Sequence, residues 1–162
     1  MTHRAFTVDE ANALLPNVRV TLHELARLHE VAAGLADQLA ILDALWGDAV
    51  ERETNPDHGE FLEHHSQLAD LSSEAEGIVR RRLVDRGIRF PAGGLQNGLV
   101  DFPTTLDGRW VYLCWQLDEP EVRFWHEPRA GFRGRRQITA EERKRMGRPD
   151  DPAHDDDSAL DF

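Results

Sequence analysis

Along the first third of the chain a mostly apolar series recurs at intervals of three and four: Ala11, Leu14, Val18, Thr21, Leu25, Leu28, Ala32, Leu35, Leu39, Leu42, Trp46 and Ala49. That is a heptad seam, and it predicts one long amphipathic helix with coiled-coil character. Thr7 and Glu10 mark its start with the spacing of a capping box, and Phe6 and Ala11 are placed as a hydrophobic staple. Pro16 lies inside the pattern and is expected to kink the chain, since it lacks an N–H and its ring meets a preceding carbonyl. Gly47 weakens the far end, and Asn55-Pro56-Asp57-His58-Gly59 is a turn cluster. A second helix is predicted from about Glu60 to Arg86. Phe61, Leu68, Leu71, Ala75, Ile78 and Val79 or Leu83 form its apolar side, and Gly87 stops it. Two long helices with a short link predict an antiparallel hairpin over about 8–86.

Beyond Gly87 the period changes from helical to two. Ile88 to Phe90 reads as a short extended piece, and Pro91-Ala92-Gly93-Gly94 with Asn97-Gly98 reads as loop. Asp107-Gly108 between apolar runs is a strong hairpin signal, because both central residues of a type I′ turn need positive φ. A two-residue loop there places Asp101 opposite Cys114, Phe102 opposite Leu113 and Val100 opposite Trp115. With the next turn at Asp118-Glu119, Cys114 falls opposite Arg123 and Leu113 opposite Phe124. Parity then puts Val100, Phe102, Val111, Leu113, Trp115, Val122 and Phe124 on a core face. Asp101, Trp110, Tyr112, Cys114, Gln116, Glu121, Arg123 and Trp125 fall on the other. The fold class is therefore α+β: a long antiparallel helical hairpin packed with a three-stranded antiparallel β-meander over about 99–126. Residues 1–137 are expected to form a single domain, and 138–162 a disordered acidic tail.

Composition narrows the function classes. The chain has 162 residues and a net charge of −11, which disfavours a general nucleic-acid binder, since phosphate neutralisation needs a basic surface. No stretch approaches the ~20 apolar residues that cross a bilayer, and no signal peptide is evident, so a cytoplasmic protein without a membrane partner is expected. Cys114 is the single cysteine, which excludes an internal disulfide and a thiolate cluster. Lys144 is the only lysine among 19 basic residues, a bias typical of a GC-rich bacterial genome.

Five segments carry a family resemblance: Phe6-Thr-Val-Asp-Glu-Ala-Asn-Ala-Leu-Leu-Pro16, Gly98-Leu-Val-Asp-Phe-Pro103, Val111-Tyr-Leu-Cys-Trp115, Glu119-Pro-Glu-Val-Arg-Phe-Trp-His126 and Ala130-Gly-Phe132. Together they resemble an uncharacterised prokaryotic family, domain of unknown function family 2203, over Phe6 to about Gln137. Asp118 stands where relatives tend to have glycine in the Leu-x-Glu-Pro turn. The resemblance implies no activity, catalytic residue or cofactor.

Candidate chemistry rests on the residues. Aromatic area as large as Trp110, Tyr112 and Trp125 calls for cover, and covered polar groups must be paired by protein, ligand or partner. Asp101, Tyr112, Cys114, Glu121, Arg123 and Trp125 are therefore the expected ligand or partner contacts, with Arg123 suited to a carboxylate or phosphate. Glu119, His126 and Glu127 are candidate metal ligands by type. Glu121 and His126 differ by an odd number, so they share one ion only if the strand bulges or ends between them. Cys114 lacks a histidine on its face in this register and so lacks a base. Two function classes follow. One is a homo-oligomeric interaction or ligand-binding module, a homodimer through the helices. The alternative is a small-ligand or metal-dependent enzyme with its site on the polar face of the meander.

Overall fold

Helix α1 runs from Val8 to Trp46 in a computed structural model that describes residues 3–162. The predicted capping box is formed: the Thr7 N–H donates to Glu10 Oε1 at 3.0 Å, and the Glu10 N–H to Thr7 Oγ1 at 3.1 Å. α1 continues through Pro16. A proline inside a helix costs about 3 kcal/mol. Burying Leu15 and Val18 on either side returns about 1.5–3 kcal/mol each, so packing wins over the lost bond. The chain divides into two compact units, one formed by the chain up to Leu22 with Val79–Phe162, the other by His23–Ile78.

The first unit is built on an antiparallel sheet of β1 (Leu99–Leu106), β2 (Arg109–Gln116), β3 (Phe124–His126) and β4 (Arg136–Gln137), in that spatial order. Four strands stand where the pattern predicts three. The added β4 pairs with Phe124 and Trp125 and is two residues long, too short to show an alternation in sequence. After the link comes the long helix α2 (His58–Arg82), while α3 covers Gly94–Asn97 and α4 covers Ala140–Arg145. The predicted β1–β2 register is observed, closed by Asp107 and Gly108 with φ of 51° and 78°.

The β2–β3 register differs from expectation by one residue: Cys114 faces Phe124, Leu113 faces Trp125 and Tyr112 faces His126. The cause lies in the connection. The Glu119 carboxylate accepts from the Gln116 N–H at 2.9 Å, the Glu119 carbonyl accepts from Trp115 Nε1 at 3.0 Å, and the Val122 N–H donates to Asn12 Oδ1 of α1 at 2.8 Å. Residues 117–123 are thus pinned as a loop outside the ladder, and pairing resumes only at Phe124. A slip of one residue exchanges faces. Phe124 and His126 join Asp101 and Cys114, while Arg123 and Trp125 leave them.

One sheet face, with Val100, Phe102, Val111, Leu113 and Trp115, is wholly buried. Phe6 meets Phe102 edge-on at 5.3 Å, and Arg19 of α1 lies over Trp115 at 5.2 Å. The Phe6 N–H donates to the Pro103 carbonyl at 2.8 Å, and Thr104 Oγ1 donates to the Phe6 carbonyl at 2.6 Å. The same carbonyl limits Gly147, whose N–H donates to the Thr105 carbonyl at 3.1 Å. At Gly147 φ is +69° and an added Cβ would sit 2.5 Å from the Phe6 oxygen. Gly147→Ala is therefore expected to cost about 2–3 kcal/mol in urea denaturation, from backbone strain and a clash with main chain that cannot give. An unchanged midpoint would show that this turn does not rest on Phe6.

On the opposite face, residues near the acidic end supply contacts. The His154 ring lies 5.8 Å from Trp110, Asp151 Oδ2 accepts from the Gly108 N–H at 3.1 Å, and Asp161 meets Arg89 and Tyr112.

In the second unit, the far part of α1 and most of α2 carry matching stripes. Leu28, Ala32, Leu35 and Leu39 are half-buried and Leu42 is buried; Phe61, His64, Leu68, Leu71 and Ala75 are half-buried and Ile78 is buried. The link between the helices holds their ends together: Trp46 Nε1 donates to Asp57 Oδ2 at 2.7 Å, and His58 Nδ1 lies 2.9 Å from the Val50 carbonyl. Among the described residues no helix is long and apolar enough to cross a membrane.

Candidate functional site

Directly opposed residues of neighbouring strands project to the same side of a sheet. The observed register therefore builds a row across Arg89, Asp101, Cys114 and Phe124, with Pro103, Tyr112 and His126 in the next. Arg89 belongs to the extended piece after Gly87. Its N–H donates to the Asp101 carbonyl at 2.8 Å and its carbonyl accepts from the Asp101 N–H at 3.0 Å. It supplies a guanidinium from the opposite end of the row, beside Asp101, while Phe124 takes the place that the sequence pattern assigns to Arg123.

Asp101 is buried, and both its oxygens are held. Arg89 Nη1 lies 2.8 Å from Oδ2, and His126 Nε2 lies 3.3 Å from Oδ1. His126 Nδ1 sits 2.7 Å from the Glu127 carbonyl. A carbonyl can only accept, so Nδ1 carries a proton, and Nε2 donates to the Asp101 carboxylate only when the ring is the doubly protonated imidazolium. Burial pushes the His126 pKa down, but the bonds to Asp101 and the Glu127 carbonyl outweigh it and leave the pKa raised. Burial pushes the Cys114 thiol up to about 12; Asp101 adds to the rise, and the nearby Arg135 guanidinium acts against it. Arg135 is clamped between the rings of Phe124 and Phe132, at 4.0 and 4.2 Å, and pairs with Glu119 at 2.6 Å.

Cys114 Sγ, one ring nitrogen of His126 and one carboxylate oxygen of Asp101 all lie within 4.8 Å of one another, and all three residues are buried. They floor a cavity of about 450 Å³ whose rim includes Arg89, Leu99 and Phe132. The base that parity denied Cys114 is present, because the register shift turns His126 onto its face.

The remaining sequence candidates lie elsewhere. Glu121 and Arg123 are exposed and pair with each other at 3.3 Å. Trp125 is buried on the other face, where its Nε1 donates to Glu142 at 3.3 Å. Glu119 is spent on Arg135, and the Glu127 carboxylate on Arg109 at 2.8 Å. Tyr112 stays with Asp101 and Cys114; burial pushes its hydroxyl up to about 12, and it donates to the Asp161 carbonyl at 3.1 Å. Arg89, Arg135 and Asp161 are additions that sequence reading missed. For Arg89 a signal was available, since a charged residue between Ile88 and Phe90 in an extended piece marks a polar-facing position.

No curated protein and no solved structure matches the chain. A family model does match, over residues 4–138, which includes β1, β2, β3 and every residue of the Asp101, Cys114 and His126 cluster. The chain thus belongs to the family described as Uncharacterized conserved protein (DUF2203).

Proposed function

We propose that the polar face is a metal-dependent small-molecule site, in which Asp101, Cys114 and His126 hold a zinc-class divalent ion toward the cavity. The observation that carries this reading is the convergence of three different ligand types within 4.8 Å at the cavity floor. Zinc bonds of about 2.0–2.3 Å in tetrahedral geometry imply donor separations of roughly 3.3–3.7 Å. The 3.3 Å between His126 Nε2 and Asp101 Oδ1 already meets this. Both residues also have the outer partners that ligating groups need, the Glu127 carbonyl for the imidazole and Arg89 for the carboxylate. Charge supports the same assignment. Arg89 is shared by Asp101 and Asp161 and Arg135 pairs with Glu119, so these three carboxylates and a Cys114 thiolate together balance the two guanidinium groups and a divalent cation beside a neutral His126.

Three protein ligands leave a fourth position for water or substrate, the arrangement of catalytic rather than structural zinc. The ion would act there as a Lewis acid. A reduced thiol ligand fits a reducing compartment such as the cytoplasm. The test is cobalt titration of the full chain. One equivalent should bind and give an intense thiolate-to-cobalt charge-transfer band in the near ultraviolet. Cys114→Ser, which preserves shape, should abolish the band while circular dichroism stays unchanged. Absence of the band in the wild-type protein would end this reading.

A second reading, self-association through the helical unit, is favoured by its half-exposed stripe. Leu28, Ala32, Leu35 and Leu39 keep a heptad spacing without being fully buried, and Val31 and Ile41 are each 52% exposed. A homodimer would cover this area. The full chain should sediment as a dimer at micromolar concentration, and Leu28→Glu with Leu35→Glu should sediment as a monomer. A wild-type monomer at high micromolar concentration would exclude it.

A further inference from the structure

We propose that Arg89 and the Tyr112 hydroxyl form a carboxylate subsite, so that the molecule seated in the cavity is a small carboxylate with a compact apolar body. Arg89 has two donor edges with different roles. Nη1 is committed to the buried Asp101 at 2.8 Å. The Nε and Nη2 edge instead faces Asp161, with Nε donating to its carbonyl at 2.9 Å and Nη2 to Oδ2 at 3.3 Å. Tyr112 serves the same residue, donating to the carbonyl at 3.1 Å and to Oδ1 at 3.3 Å, and accepting from its N–H at 3.2 Å.

The donors are largely buried, whereas the accepting carboxylate is open to solvent. The Arg89 side chain is 18% exposed and lies over the Tyr112 ring at 4.8 Å, whereas the Asp161 side chain is 74% exposed. A guanidinium edge is shaped for the two coplanar oxygens of one carboxylate, at charge-assisted distances of about 2.7–2.9 Å. Asp161 fills it with a backbone carbonyl at Nε and, at Nη2, with both carboxylate oxygens at 3.2 and 3.3 Å, so it satisfies the edge without spanning it as one carboxylate would. It is an internal stand-in for the ligand.

The cavity walls supply the rest of the chemistry. Pro91, Ala92, Leu99, Pro128 and Phe132 line it, which favours an organic carboxylate over a bare inorganic anion. A volume of about 450 Å³ suits a small molecule. Because Arg89 also holds Asp101, a carboxylate in this subsite lies one side chain from the ligand cluster. That this carboxylate is the metal site's substrate rests on the metal reading above; the subsite itself rests on Arg89 and Tyr112.

The test is isothermal titration calorimetry on the full chain and on full-length Asp161→Ala, with benzoate as probe, benzamide as its neutral isostere and inorganic phosphate as the competing anion. Each titration is run with and without zinc. Asp161→Ala removes the competing carboxylate from the Nη2 side while the backbone carbonyl stays, and should tighten benzoate binding about tenfold. Benzamide should give no binding heat. Adding Arg89→Lys to Asp161→Ala should weaken benzoate at least about tenfold, since lysine keeps the charge but not the two-pronged edge. No benzoate binding to Asp161→Ala, equal affinity in both proteins, or phosphate binding more tightly than benzoate would each overturn the proposal. Benzoate binding by a chain that takes up no zinc removes the metal reading and leaves the subsite standing; zinc uptake without benzoate binding does the reverse.

Discussion

Replacing Arg89 by methionine is expected to destabilise the protein by about 3–4 kcal/mol, the largest effect of any single substitution on the polar face. Asp101 is 3% exposed, and its Oδ2 depends on Arg89 Nη1 at 2.8 Å. Removing one member of a buried ion pair leaves the other desolvated and unmatched, which costs about 3–5 kcal/mol, whereas removing both members together is often nearly neutral. The His126 bond to Oδ1 keeps the expected loss toward the lower end. The double substitution Arg89→Met with Asp101→Leu should therefore be at least about 2 kcal/mol more stable than Arg89→Met alone, although it deletes more polar groups. Urea denaturation of the two single variants and the double one measures this directly. If the double variant is no more stable than Arg89→Met, Asp101 does not depend on that arginine.

How far this face could be read from sequence depends on which signals were local. The capping box at Thr7 and Glu10 and the Asp107-Gly108 turn are contained within a few residues, and both are formed as their chemistry requires. The β1–β2 register follows from that turn, so Asp101 beside Cys114 was predictable. The β2–β3 register was not, because it is set by bonds reaching across the chain: Asn12 of α1 holds Val122, and Glu119 folds back onto Gln116. The hydrophobic pattern cannot tell whether residue 123 or residue 124 faces Cys114, yet this one-residue difference decides whether arginine or histidine joins the thiol. Arg123 was thus given a role that Arg89 fills. Arg89 lies twelve residues before Asp101 and reaches it through a single backbone bridge, not through a strand long enough to alternate. Asp161 is farther still, and nothing in an acidic stretch distinguishes the one carboxylate that meets an arginine from its solvated neighbours.

Zinc affinity should fall at least about 100-fold between pH 8 and pH 6, because the ion must displace protons to reach its ligands. The Cys114 thiol, pushed up to about 12 by burial and then by Asp101, is protonated throughout this range in the metal-free protein. Binding as thiolate therefore releases one proton, and each unit of acidification weakens the apparent affinity about tenfold. His126 adds to the slope at the acidic end. Burial lowers its pKa, but the Asp101 and Glu127 bonds raise it further, above the ordinary imidazole value. Below that raised pKa, Nε2 is protonated and a second proton must leave, so the dependence steepens toward two protons per ion. The sign is fixed: acid releases the metal and alkali retains it. Cys114→Ser should bind zinc more weakly at pH 8 and also more flatly, since the thiol proton drops out of the exchange and only the His126 step remains. Competition against a chromophoric chelator at half-unit pH intervals gives both slopes. A wild-type affinity that does not change with pH, or a Cys114→Ser slope equal to that of the wild type, would place the ion on other ligands.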